Sequence, residues 1–105
     1  MSAPFRALAE PRRREILRLV WDRERAAGEI AAEMDDVSFP AVSQHLKVLR
    51  DEGMVEVRKE GRRRIYRARR EALGPLAAAL EASWAGRLSR LRNLAEARER
   101  RKEER

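Results

Sequence analysis

The apolar residues of this chain change their spacing twice, and that double change limits its folds more than any other feature. From Phe5 to Leu49 they recur every three or four positions, the period of helices with one buried face. From Met54 to Arg67 they alternate, as along two short strands, and from Leu73 to Leu94 the helical period returns. In 105 residues this leaves room for one domain, 1–105, ordered as four helices, a two-stranded hairpin and a long helix, without a separate catalytic or ligand-binding domain.

Local signals set the expected boundaries. Phe5–Ala9 reads as a short first helix with Phe5 and Leu8 on one face. Pro11 suits the first turn of a second helix running to Arg23, where its missing N–H costs nothing, and Ile16, Leu17, Val20 and Trp21 mark the buried side. Ala27–Met34 reads as a third helix, and Asp35, Asp36 and Val37 as a tight connection. Ser38 is a suitable N-cap for a fourth helix, because its hydroxyl can accept a hydrogen bond from a first-turn N–H. Val42, Leu46 and Leu49 face inward on that helix and Gly53 ends it. A turn at Glu60-Gly61 joins the two strands, the glycine supplying a positive φ. Residues 71–97 read as a long helix whose stripe of Leu73, Leu76, Leu80, Trp84, Leu88 and Leu91 calls for a partner surface. Residues 98–105 are all charged and are expected to fray.

The formal net charge is +7, and its location is more telling than its size. Arg58 to Arg70 holds eight basic residues and one acid, Glu60, while the rest of the chain carries equal numbers of each sign. A focused excess suits a docking surface for a polyanion. There is no cysteine, which excludes disulfides, thiolate metal sites and cysteine nucleophiles. No catalytic constellation or Gly-rich phosphate loop is present, so an enzyme is not expected. No apolar run approaches the roughly 18 residues that cross a bilayer, and no apolar signal segment opens the chain; a cytoplasmic protein without a membrane partner is expected.

The segment from Ala27 to Gly53 carries the strongest functional signal. A short helix, a tight turn and a second helix that opens with small and polar residues is the arrangement that lays a helix in the major groove of duplex DNA. With Val42, Leu46 and Leu49 inward, Pro40, Ala41, Ser43, Gln44 and Lys47 face out beyond the cap residue Ser38, and Arg50 follows one turn later. Gln can pair with adenine, Ser with either base and Ala with a thymine methyl, while Lys47 and Arg50 suit phosphates. Arg62, Arg63 and Arg64 at the hairpin tip can reach phosphates or a narrow minor groove, or serve only as a solvated edge that discourages aggregation. His45, the sole histidine, suits either a phosphate contact or a hydrogen bond within the domain.

Ala41-Val42-Ser43-Gln44-His45-Leu46-Lys47-Val48-Leu49-Arg50 followed by Gly53-Met54-Val55 resembles the recognition-helix signature of the ArsR (ArsR/SmtB) family of bacterial winged helix-turn-helix regulators. The opening Phe5-Arg6-Ala7-Leu8-Ala9-Glu10-Pro11 is similar to the family's, with Glu10 where Asp is usual, and Arg58 to Tyr66 resembles its wing. The resemblance implies a homodimer, joined through Phe5 and Leu8 of the first helix and Leu73, Leu76, Leu80, Trp84, Leu88 and Leu91 of the last. It implies repression from a palindromic operator. In metal-sensing relatives, paired cysteines lie in the segment that here reads Arg25-Ala26-Ala27-Gly28-Glu29-Ile30, or Asp and His ligands lie on the last helix, which here has no histidine. No metal site or other cofactor is therefore expected, and Trp84 resembles the marker of a subgroup without a known effector site. A metal- or small-molecule-responsive sensor, and a winged-helix module for protein or RNA, remain open alternatives, and any effector is unknown.

Overall fold

The computed structural model describes residues 6–103, without the side chains of 87–91 and 102–103. The chain divides after Leu73 into two compact units, a finer division than the single domain read from the sequence. In the first unit, Ala7 and Leu8 are buried, and Arg13 and Arg14 each donate to a backbone carbonyl there, on Ala7 and Leu8, at 2.6 Å. Helix α1, Pro11–Leu19, starts as expected at a proline, and the Glu10 carboxylate accepts from the Arg12 N–H at 2.9 Å.

α1 ends four residues before the expected Arg23. The Leu19 carbonyl, which the Arg23 N–H would use in a longer helix, accepts instead from the Arg25 guanidinium at 2.7 Å, and the Val20 carbonyl beyond it accepts from the N–H of Ala68 at 3.0 Å. The chain then forms strand β1, Arg25–Ala26, which was not expected: two residues are too few to show an alternating period. Helix α2, Ala27–Ala32, is two residues shorter than read, and Glu29 accepts from the Ala26 N–H at 2.7 Å to close its first turn.

Helix α3, Phe39–Asp51, follows its local signals closely. The Ser38 hydroxyl accepts from the Ala41 N–H at 3.2 Å. At the other end Gly53 adopts φ +76, its N–H donates to Arg50 at 2.9 Å, and the Met54 N–H donates to Leu49 at 2.9 Å. That pair of bonds is the Schellman closure, with buried Met54 and Leu49 at its apolar positions. Ser38→Ala removes the cap and is expected to cost about 1 kcal/mol; urea unfolding of the variant checks this, and an unchanged midpoint would refute the assignment.

Strands β2, Val55–Glu60, and β3, Arg63–Ala68, form the hairpin, and β1 adds to the other edge of β3 in the order β1-β3-β2, all antiparallel. The wing is thus part of a three-stranded sheet rather than a lone two-stranded hairpin. Glu60 pairs with Arg63, so the turn residues are Gly61 and Arg62, one position later than read. Gly61 at φ +65 in the first central position is the type II′ requirement. α3 packs against α1, α2 and β2, and Ile16, Leu17, Val20, Ile30, Val42, Leu46, Leu49, Met54 and Val55 form the closed centre of this unit.

A four-residue helix α4, Arg70–Leu73, ends the first unit. The second unit begins with Gly74 at φ +55 and helix α5, Pro75–Glu103. The continuous helix expected over 71–97 is therefore broken. A left-handed glycine cannot continue a right-handed helix, and the proline ring disfavours helical geometry before it. α5 also runs through residues expected to fray, where Arg, Lys and Glu are good helix formers and Glu96 and Arg100 stand one turn apart. Leu76, Leu80 and Trp84 recur at four-residue intervals on α5; Leu80 is buried and the other two are half-buried. Phe5 lies outside the described residues, and the side chains of Leu88 and Leu91 are not among those described.

Candidate nucleic-acid interface

Along α3 a helical repeat of 3.6 residues separates three faces. Val42, Leu46 and Leu49 are buried. Ala41, His45 and Val48 are half-buried on one flank. Phe39, Pro40, Ser43, Gln44, Lys47 and Arg50 are exposed, as is Ser38 before them. The residues read as outward-facing thus share one open surface, except Ala41, which lies with His45 on the half-buried flank.

A cleft of about 830 Å³ lies between that surface, α2 and β3. Phe39, Ser43, Lys47 and Arg50 line it from α3, Ala27, Gly28 and Glu29 from α2, and Arg62, Arg63, Arg64 and Tyr66 from the wing. Five cations therefore face one carboxylate. Lys47 pairs with Asp51 at 3.3 Å, Arg50 with Asp51 at 3.5 Å and Arg63 with Glu29 at 3.3 Å, all with half or more of their side chains in water or close to it. Such exposed pairs are weak enough to exchange for a phosphate. The Ala26 N–H and then Arg63, Arg23 and Arg25 hold the Glu29 carboxyl below the ordinary range, against the opposing effect of burial, so it is ionised and competes for Arg63.

The basic segment is not uniform. Arg58 pairs with Glu24 at 2.6 Å and Glu60 at 3.0 Å, and Arg67 pairs with Glu56. Arg69 faces Glu71 at 3.8 Å and Arg70 faces Asp22 at 3.7 Å. Among the described residues, Lys59, Arg62 and Arg64 enter no salt bridge. The arginines at the base of the wing are all paired, whereas at its tip only Arg63 is, which leaves more uncompensated positive charge beside α3.

His45 stands apart from the exposed face of α3. Its Nδ1 lies 3.4 Å from the Arg13 guanidinium, which can only donate, a contact that suits a neutral imidazole with Nδ1 as the acceptor. Burial first, and then Arg13 and Arg12, lower its pKa, with Glu10 opposing. Of the two roles open from the sequence, this geometry is that of a hydrogen bond within the domain. Sequence reasoning missed Phe39, Glu29 and Tyr66. For Phe39 the signal existed, since it stands four and eight residues before Ser43 and Lys47; for the other two it did not.

Among the described residues no group of three or more His, Asp or Glu side chains is placed to hold a metal ion, and no helix is long and apolar enough to cross a membrane. Residues 10–57 match the model of the bacterial regulatory protein arsR family. The HTH-type transcriptional regulator Rv2034 of Mycobacterium tuberculosis is 40% identical over 80 residues, 76% of this chain and 74% of that protein. The structure is similar to that of HlyU from Vibrio cholerae, with a TM-score of 0.70 at 30% identity over 79% of this chain and 89% of that one. It is also similar to the homodimeric winged helix-turn-helix DNA-binding domain Mb0332 from Mycobacterium bovis, with a TM-score of 0.68 at 34% identity over 79% and 76% of the two chains. With its helix-turn-helix of α2 and α3 and its β2–β3 wing, this chain belongs to the arsR family of bacterial transcription regulators.

Proposed function

We propose that this protein is a homodimeric repressor that sets its two α3 helices into successive major grooves of a palindromic operator, about one helical turn apart. The observation that carries the reading is the cleft whose five cations come from α3 and the wing together, next to the exposed Ser43 and Gln44. In this reading Ser43 and Gln44 meet base edges, with Pro40 beside them and the half-buried Ala41 at the margin. Ser38, Lys47 and Arg50 hold phosphates, and Arg62, Arg63 and Arg64 follow the strand that runs between α3 and the wing. The apolar residues of α5 join the two copies, as the homodimeric relative from Mycobacterium bovis suggests, while Leu8 is already buried within its own unit. Occupying promoter DNA in the cytoplasm excludes polymerase, without a metal or other cofactor.

The deciding experiment is fluorescence anisotropy against the duplex upstream of the protein's own gene, with chelator present and salt varied. A scrambled duplex and an RNA of equal length are the controls. Binding at least about a thousandfold tighter than to the scrambled duplex supports the reading. Equal binding of all three, collapsing with salt, leaves only a basic surface and refutes it. Gln44→Ala is expected to lose about 1–3 kcal/mol of discrimination at one base position while leaving affinity for scrambled DNA unchanged. Measured specificity that is the same as the parent's at every position would remove Gln44 from base reading.

A further inference from the structure

Phe39 is the first residue of α3, and 53% of it is exposed. Among the described residues the one other large apolar side chain as open is Leu94, on the stripe of α5. Nothing in the folding of α3 asks for an aromatic ring at its first position. The cap is made by the Ser38 hydroxyl, and the buried face by Val42, Leu46 and Leu49. The ring instead lines the cationic cleft, one helical turn from Ser43 and two from Lys47.

An apolar ring in that position has few uses against a polyanion. It cannot hold a phosphate, which Lys47, Arg50 and Arg64 in the same cleft are suited to do. The N-terminal residues of a groove-reading helix point at base edges, and the apolar group exposed there is the 5-methyl of a pyrimidine. With the neighbouring cations on the backbone, the ring is left to be dried against such a methyl.

We infer that Phe39 is a specificity-determining residue whose ring packs on a pyrimidine 5-methyl group in the major groove, beside the base pair that Ser43 meets. This rests on the operator reading above. The methyl can belong to thymine or to 5-methylcytosine, and the same contact would read both.

The probe is a duplex enriched from a random pool by the wild-type protein, with thymines replaced one at a time by uracil. Uracil keeps the pairing edge and lacks only the methyl. One symmetric pair of positions is expected to lose about fourfold in affinity per half-site, the worth of one buried methyl. Phe39→Ala should bind the thymine and uracil duplexes alike, and Phe39→Leu should keep part of the difference. At that position 5-methylcytosine should bind better than cytosine for the wild type and not for Phe39→Ala. Unchanged salt dependence on scrambled DNA verifies that each variant is folded. A wild type indifferent to every methyl, or a Phe39→Ala protein that keeps the uracil penalty, overturns the inference while leaving the operator reading intact. A pool that enriches no sequence removes the operator reading itself.

Discussion

Replacing Arg62, Arg63 and Arg64 together by alanine is expected to weaken binding to duplexes of every sequence by about three orders of magnitude or more near 0.1 M salt. Each phosphate contact contributes about −0.9 to the slope of log affinity against log salt, close to a factor of eight at that concentration. Six wing arginines in a dimer would flatten the slope by about five if all lie on phosphates. If Arg63 stays on Glu29, four contacts are lost and the slope changes by about 3.6. The slope therefore reports whether the Glu29–Arg63 pair opens on DNA. Arg67→Ala is the control: its guanidinium is held by Glu56, and the slope should change far less. Preference for the operator over a scrambled duplex should survive the triple substitution, because phosphates carry no sequence. A slope equal to the parent's would place the wing away from the backbone.

Leu46→Ala is expected to be the most damaging single change to the fold. Leu46 is 1% exposed on α3, with Val42 and Leu49 closed off beside it, where α3 meets α1, α2 and β2. Truncation loses the burial of three carbons and leaves a cavity among elements held by the rest of the core, about 2–5 kcal/mol in all. Domains of this kind have roughly 5–15 kcal/mol in total, so urea unfolding should show a large drop in midpoint. Gln44→Ala, two residues away and exposed, should change stability by no more than about 0.5 kcal/mol while altering base preference. The two variants thus separate the face that builds α3 from the face that reads with it. A Leu46→Ala protein within about 1 kcal/mol of the parent would mean that this core collapses around the gap, and that its packing is looser than the burial implies.

What could be read from the sequence was local. The Ser38 cap, the Val42-Leu46-Leu49 face, the Gly53 closure and the pairing of the two hairpin strands depend on neighbours within a turn or a strand, and each stands in the structure. The Gly74-Pro75 break was equally local, and the apolar stripe running across it led to a continuous helix instead.

The sequence by itself therefore determined the order of helices and wing, the open face of α3 carrying Ser43, Gln44 and Lys47, and the basic segment beside it. Only the tertiary structure decided where α1 stops, that β1 joins the wing, which wing arginines are neutralised, and that Phe39 stands open in the cleft. The Val20 carbonyl just past the end of α1 is held by the N–H of Ala68, and Arg58 is paired with Glu24, 34 residues earlier in the chain. Those outcomes depend on residues far apart in the chain competing for one hydrogen-bonding group or one charge, and no period or dipeptide in the sequence encodes which of them meets it.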